Sequence, residues 1–155
     1  MNISRSRSGL RRLPLALTVL AAGLAMAACA ASAPGASPDV PVRTPLLTDA
    51  QRTILDQPVA YPTDAPAKVS SGIVQLQPGH ETGWHRHDTP LYVHVLAGTI
   101  TVHYDGDVVK SYSTGDTFIE AIGTYHNGRN ESGAPVRLLT VSMGAEGYQD
   151  TAARP

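Results

Sequence analysis

Two histidines lie one residue apart in the stretch "GWHRHDTPLYVHVLAG", just ahead of a strand-like apolar run. Side chains at positions i and i+2 of a strand point to the same face, so His85 and His87 can present two imidazole rings to one point. A third histidine, His126, follows in "GTYHNGRN", after another strand-like segment. Neutral imidazole is a common ligand for first-row metals. The three residues predict a metal site, with a surface or hydrogen-bonding role for the pair as the alternative.

These histidines lie within two longer patterns that resemble the motifs of the cupin family of small β-barrels. The first pattern, G(X)5HXH(X)3–4E(X)6G, is matched at Gly79, His85, His87 and Gly98. The second, G(X)5PXG(X)2H(X)3N, is matched at Gly115, Gly123, His126 and Asn130. Ala121 stands where proline is expected. The resemblance covers roughly residues 68–144. It implies a cupin barrel, which is an antiparallel jelly roll, in which the three histidines hold a divalent transition metal ion.

One position departs from the family pattern. The metal-binding glutamate is expected at Leu91, or one place later at Tyr92, and neither residue is a carboxylate. Some cupins, including thiol and diketone dioxygenases, bind ferrous iron through three histidines alone, so the resemblance still implies an ion. It favours ferrous iron, with manganese, nickel, copper and zinc ions as alternatives.

Glu120 is the candidate that compensates for the missing glutamate. In the strand "DTFIEAI", Phe118, Glu120 and Ile122 share one face. If that face points into the barrel, Glu120 is a carboxylate among apolar neighbours and needs a metal, an arginine or a substrate as its partner. It would then be a fourth ligand or a general base, and it is our candidate catalytic residue. If the other face points inward, Glu120 is solvated.

The remaining histidines are expected to be structural. His94 alternates with Tyr92 and Leu96, opposite the face that would carry the missing glutamate, so we expect it at a sheet surface or a subunit contact. We expect His80 in the turn "PGHETG" and His103 on an exposed strand face.

Several neighbours of the histidines have two interpretations each. Trp84, the only tryptophan, either stacks on a ligand at a pocket mouth or packs in the barrel. Arg129 either pairs with Glu120 or an anionic ligand, or is solvated. Asp88 either orients an imidazole or makes local turn bonds. Asn130 is expected to fix a turn.

The elements that must position these residues are short strands. From Lys68 onward, short runs rich in Val, Ile, Thr and Tyr are separated by turn signals such as "PG", "DG" and "SGAP". This spacing predicts an all-β antiparallel sandwich or barrel. The clearest hairpin is "HYDGDVV", because an Asp-Gly pair readily forms a tight turn. We assign the barrel to residues 68–145 and a C-terminal tail to residues 146–155.

The N-terminal region carries an export pattern. Four arginines precede the uncharged apolar run "LPLALTVLAAGLAMAA", which ends in small residues, so residues 1–28 are predicted to be a signal peptide. The next residue, Cys29, resembles the lipidated cysteine of bacterial lipoproteins. We therefore expect a periplasmic protein tethered to the membrane by a lipid anchor. Residues 29–67 are predicted to be a linker with a short helix within 46–58.

Charge and motif content narrow the classes of function. Loss of the four leader arginines leaves 8 basic and 13 acidic residues, a net charge of about −5, which argues against nucleic acid as a partner. The chain contains no G-x-S-x-G elbow, P-loop or G-x-G-x-x-G motif. The first hypothesis is a metal-dependent enzyme, such as an oxygenase, that acts on a small organic substrate. The alternatives are a non-catalytic envelope protein that binds a metal or small ligand, and a barrel whose histidines bind nothing. Exposed sheet edges favour a homodimer.

Overall fold

The structure is a computed structural model that describes residues 41–155. The chain divides into two units, Met1–Pro41 and Val42–Pro155, and the second contains every element below. The predicted signal peptide and the predicted lipidation site at Cys29 lie outside the described residues. Among the residues described, no helix is long and apolar enough to span a membrane.

The described part of the chain is all-β, as predicted. Its strands are β1 (Ala67–Leu76), β2 (His85–Arg86), β3 (Leu91–Ala97), β4 (Thr99–Tyr104), β5 (Val108–Ser113), β6 (Thr117–Ile119), β7 (His126–Arg129), β8 (Val136–Ala145) and β9 (Ala152–Ala153). One sheet has the order β1-β8-β3-β6 and the other β5-β4-β7-β2-β9. All of these strand pairs are antiparallel. The predicted antiparallel jelly-roll barrel is confirmed.

The turns follow the residues that the sequence supplies. The hairpin between β4 and β5 forms at Asp105–Asp107, where Gly106 has φ 85°. Gly98 joins β3 to β4 at φ 79°, and a Cβ there would lie 2.6 Å from the carbonyl oxygen of Pro135. This position therefore requires glycine for both backbone conformation and space.

The core lies between the inner faces of the two sheets. Strand alternation buries Val93 and Val95 of β3, which belong to one hydrophobic cluster with Ile100 and Val102 of β4. Each such side chain contributes about 1.5–3 kcal/mol when it leaves water. This core holds the two sheets together behind the histidines.

The predicted short helix within residues 46–58 is wrong. The hydroxyl of Thr53 accepts hydrogen bonds from the backbone N–H groups of Leu55 and Gln57, at 3.3 and 3.2 Å. Such local side-chain bonds compete with helix formation. Ile54 packs against the core, and the side-chain oxygen of Gln57 accepts a hydrogen bond from the N–H of Ile122 at 3.0 Å. The segment is therefore a turn held against the barrel.

Candidate metal centre

The three predicted histidines come together at one end of the barrel. His85 of β2 pairs directly with His126 of β7, and His87 follows β2. Their candidate ligand nitrogens all lie within 4.8 Å of one another. The ring centroids are 4.5 Å apart for His85 and His126, and 5.0 Å apart for each pair with His87.

Backbone carbonyls fix the orientation of two of the rings. The Nδ1 of His85 donates to the carbonyl oxygen of Gly83 at 2.8 Å, and the Nδ1 of His126 donates to that of Thr124 at 2.9 Å. A carbonyl oxygen can only accept, so the proton of each neutral ring must be on Nδ1. The Nε2 atoms are left with free lone pairs, which is the state that a metal requires.

The third ring is fixed from a distant part of the chain. The Nδ1 of His87 donates to the carbonyl oxygen of Asp150 at 2.6 Å. Asp150 belongs to the segment that we call the C-terminal strap, residues 146–155, which the sequence suggested was a plain tail. Its strand β9 pairs with β2, so the strap lies against the histidine pair itself.

Aromatic rings clamp the end of the strap. The guanidinium of Arg154 lies 4.5 Å from the ring centroid of Trp84 and 4.6 Å from that of Tyr125. It also forms an ion pair with Asp105, and its backbone N–H donates to the carbonyl oxygen of Trp84 at 3.0 Å. Cation–π contacts of this kind contribute about 0.5–1 kcal/mol each at exposed sites. The strap is therefore held to the barrel at Asp150 and at Arg154.

Removal of the strap beyond Gln149 should weaken metal binding. A chain that ends at Gln149 lacks the carbonyl that orients His87, and loss of such a partner typically costs about 10–100-fold in metal affinity. We expect a loss of that size in zinc titrations. Asp150→Ala, which keeps the carbonyl, and a chain without Pro155 are the matched controls. Unchanged affinity in the chain ending at Gln149 would show that the strap does not orient the ring.

Burial keeps the imidazoles of His87 and His126 neutral. Burial lowers the pKa of His87 to about 4, and it lowers the pKa of His126 to about 3, with His85 adding to both effects. Metal binding requires the unprotonated ring. Both side chains are therefore ready to bind a cation at neutral pH without first releasing a proton.

Glu120 shares the site with the histidines. It is 4% exposed and lines the same cavity as Phe118, as expected if that strand face points inward. One carboxylate oxygen accepts a hydrogen bond from the N–H of Ala121 at 2.7 Å. The other lies 3.9 Å from the Nε2 of His126, so the carboxylate lies beside the histidine cluster.

Glu120 also lies opposite the position where the cupin pattern expects a glutamate. Its backbone N–H donates to the carbonyl oxygen of Leu91 at 2.8 Å, across the β3–β6 pairing. Both side chains line the cavity. A buried carboxylate therefore lies directly opposite the position at which β3 lacks one.

Burial raises the pKa of Glu120 to about 7, although the N–H of Ala121 and the nearby Tyr104 partly oppose the effect. The hydroxyl of Tyr104 is buried and has no hydrogen-bond partner among the described residues. Burial, followed by the charge of Glu120, raises the pKa of this phenol. The pair is costly in the metal-free protein, and a cation or a polar ligand would relieve it.

This cost predicts a pH dependence of stability in the metal-free protein. The folded-state pKa of Glu120, about 7, lies above its ordinary value of 4.5, so the stability that this group provides is present below pH 4.5 and lost as the pH rises to about 7. Glu120→Gln does not titrate. At about 1.4 kcal/mol per pH unit, we expect the variant to gain roughly 3 kcal/mol over the wild type between pH 4.5 and pH 8. Urea unfolding in the presence of a chelator measures the free energy of unfolding of both proteins. The histidines are the same in both, so their titration cancels in the difference. A difference that does not change with pH would contradict the assignment.

The other candidates have partners outside the site. Arg129 pairs with Glu81 at 3.1 Å instead of with Glu120, and Asp88 pairs with Arg86 at 3.5 Å instead of with an imidazole. Asn130, 1% exposed, fixes a turn as expected, since its side-chain amide donates to two backbone carbonyls.

The three remaining histidines lie away from the cluster, as predicted. His94 bonds to the hydroxyl of Thr117 at 2.8 Å, and His103 pairs with Glu131 at 2.9 Å. His80 is exposed in its turn. None of them lines the cavity among the described residues.

Sequence reasoning missed Tyr104 and the strap. Tyr104 shares a strand face with Ile100 and Val102, and this alternation was a signal that could have placed it inside. Nothing local in residues 146–155 indicates that a carbonyl there orients His87. That contact depends on how the chain end returns to the barrel.

The fold and the site together form an antiparallel β-barrel that carries a three-histidine cluster. Residues 72–142 match the family model described as "Cupin domain". No curated protein matches the chain.

Solved structures resemble parts of this chain. The DMSP lyase DddQ from Ruegeria pomeroyi is 19% identical, with 55% of this chain and 42% of that chain covered and a TM-score of 0.48. Oxalate decarboxylase from Lactobacillus farciminis is 21% identical, with 55% and 26% covered and a TM-score of 0.48. An uncharacterised double-stranded β-helix protein from Klebsiella pneumoniae is 19% identical, with 62% and 91% covered and a TM-score of 0.48. The chain spans less than half the length of the lyase, and likenesses of this size carry no argument about activity.

Proposed function

We propose that the barrel binds one divalent transition metal ion through His85, His87 and His126 and uses it in the chemistry of a small organic substrate. The observation that carries the proposal is the common orientation of the rings. Each Nδ1 donates to a backbone carbonyl, which leaves three Nε2 lone pairs for one cation. A surface or core histidine would not need this arrangement on all three rings.

Glu120 completes the proposed site as a fourth ligand. Its carboxylate is buried, lies 3.9 Å from the Nε2 of His126, and stands opposite Leu91, where the cupin pattern carries its glutamate. A cation next to it would favour the charged carboxylate and remove the cost of burial. Tyr104 lies close enough to influence this carboxylate and is a further group able to hold a proton at the site.

The metal would act as a Lewis acid on a donor atom of the substrate. Iron could also supply redox chemistry. Imidazole ligands suit iron, nickel, copper and zinc, and ferrous iron is the ion that the cupin resemblance favours. The histidines would hold the ion, while the apolar walls behind them exclude water from the reacting atoms.

Metal analysis of the purified protein tests the proposal. After separate loading with ferrous, manganous, nickel, copper and zinc ions, we expect one ion per chain for at least one metal. Oxygen uptake by the iron-loaded protein with small thiols, diketones or phenols then separates an oxygenase from a protein that only binds. Absence of any stoichiometric metal would contradict the proposal.

We also propose that the protein is exported and tethered through a lipid at Cys29. Support comes from the basic start, the uncharged apolar run and the small residues before the cysteine. Fractionation of cells that express Cys29→Ser tests it, because the tethered protein should leave the membrane fraction when the cysteine is lost.

A further inference from the structure

A cavity of about 610 Å³ opens from the histidine cluster into the barrel. Its size suits a small organic molecule. Most of its wall is aliphatic or aromatic; the apolar lining includes Val74, Leu76, Val93, Ile100, Phe118 and Leu138. Polar side chains other than those of the metal centre are mainly neutral hydroxyls, such as those of Ser71 and Thr140.

The charged side chains that line this cavity, within the described part of the chain, are carboxylates. Among residues 41–155, no lysine or arginine lines it, whereas the carboxylates of Glu120 and Asp150 do. The cation nearest to Asp150 is Lys68, which is 3.4 Å from its carboxylate and is 41% exposed.

The arginines near the site are already paired outside the cavity. Arg86 pairs with Asp88, and Arg129 pairs with Glu81. Arg154 lies between two aromatic rings and pairs with Asp105. None of these arginines lines the cavity within the described part of the chain. An anionic group placed deep in the barrel would lose its water and find no cation.

We infer that the ligand of this cavity carries a single polar group, bound at the histidine end, on an uncharged apolar body. Molecules with a second, anionic end are rejected, because a desolvated carboxylate without a partner is costly. This inference rests on the proposed function only for the polar end, which would meet the metal and Glu120. The apolar wall and the absence of lysine or arginine from the described lining are properties of the protein without metal.

A matched pair of probes tests the inference. 4-Methylphenol and 4-hydroxybenzoate share the phenol group and differ at the far end, where a methyl group replaces a carboxylate. Calorimetry on the metal-free and the zinc-loaded protein measures both affinities, and fluorescence of Trp84, which lines the cavity, is a second readout. We expect 4-methylphenol to bind at least about tenfold more tightly in both forms. Equal affinities, preference for the anion, or no binding of 4-methylphenol would overturn the inference.

A charge placed in the wall provides the reciprocal test. Val74 lines the cavity and is only half-buried, so an arginine there can lay its stem along the apolar wall and keep its guanidinium in the solvent-accessible part of the cavity. Val74→Arg should reverse the preference toward 4-hydroxybenzoate, while the uncharged control Val74→Gln should not. If both variants bind the anion equally well, polarity and not charge decides, and the inference is wrong.

The outcomes separate the two proposals. Discrimination between the two probes in the metal-free protein, together with no stoichiometric binding of any of the five metals, would overturn the metal site and leave the ligand class standing. One metal ion per chain, with equal affinities for the two probes, would support the metal site and overturn the ligand class.

Discussion

Replacing His85 and His87 together with alanine should abolish stoichiometric metal binding. The two residues supply two of the three imidazoles whose candidate ligand nitrogens lie within 4.8 Å of one another. Loss of a hydrogen-bond partner behind a ligand already costs about 10–100-fold in affinity, so loss of two ligands should cost more than about 100-fold. Metal analysis after loading and dialysis should fall from one ion per chain to none.

The control for this variant also removes two histidines. His80→Ala combined with His103→Ala leaves the cluster intact, because His80 is exposed and His103 pairs with Glu131 on the outside of the barrel. We expect this control to keep one ion per chain. Circular dichroism establishes that both proteins retain the β-structure. Equal metal content in the two variants would mean that the cluster is not the binding site.

Moving the carboxylate between adjacent strands should first remove and then restore tight metal binding. Glu120→Leu deletes the carboxylate that lies 3.9 Å from the Nε2 of His126, and we expect a loss of affinity of at least about tenfold, since a negative charge beside a bound cation attracts it. Adding Leu91→Glu returns a carboxylate to the facing position, whose carbonyl accepts from the N–H of Glu120 at 2.8 Å. The double variant should recover most of the affinity in competition titrations.

The exchange also separates two roles for Glu120. It conserves the composition of the facing pair, so packing and net charge in the double variant match those of the wild type. If Glu120→Leu binds metal normally and loses only turnover, Glu120 is a general base and not a ligand. Failure of the double variant to recover, with its fold intact, would show that a carboxylate on β3 cannot serve this site.

Much of this architecture was predictable because local pattern and side-chain period agree with the fold. Alternating apolar residues and turn signals predicted the strands, and the hairpin at Asp105–Asp107 formed where the Asp-Gly pair indicated. The i, i+2 spacing of His85 and His87 predicted two imidazoles on one side, and the cupin resemblance supplied His126. The sequence did not determine whether Glu120 points into the barrel, since a shift of one residue moves every side chain of a strand to the other side.

The helix predicted near Thr53 does not form, for a reason that the spacing of apolar residues does not reveal. Its apolar residues gain more from contact with the barrel than from a helical turn, and Thr53 and Gln57 offer the backbone other hydrogen bonds. Tertiary contacts override helix propensity because the difference between local conformations is only a few tenths of a kcal/mol per residue.

The sequence by itself determined the candidate ligands, because the i, i+2 spacing of His85 and His87 is a local property and the resemblance to the cupin pattern pointed to His126. Only the tertiary structure decided which way Glu120 points and what orients each ring. His87 takes its orientation from the carbonyl of Asp150, 63 residues away, and the carboxylate opposite Leu91 comes from a neighbouring segment of the sheet. Backbone carbonyls are the same at every residue, so no side-chain pattern can identify the ones that the folded chain will bring to a histidine.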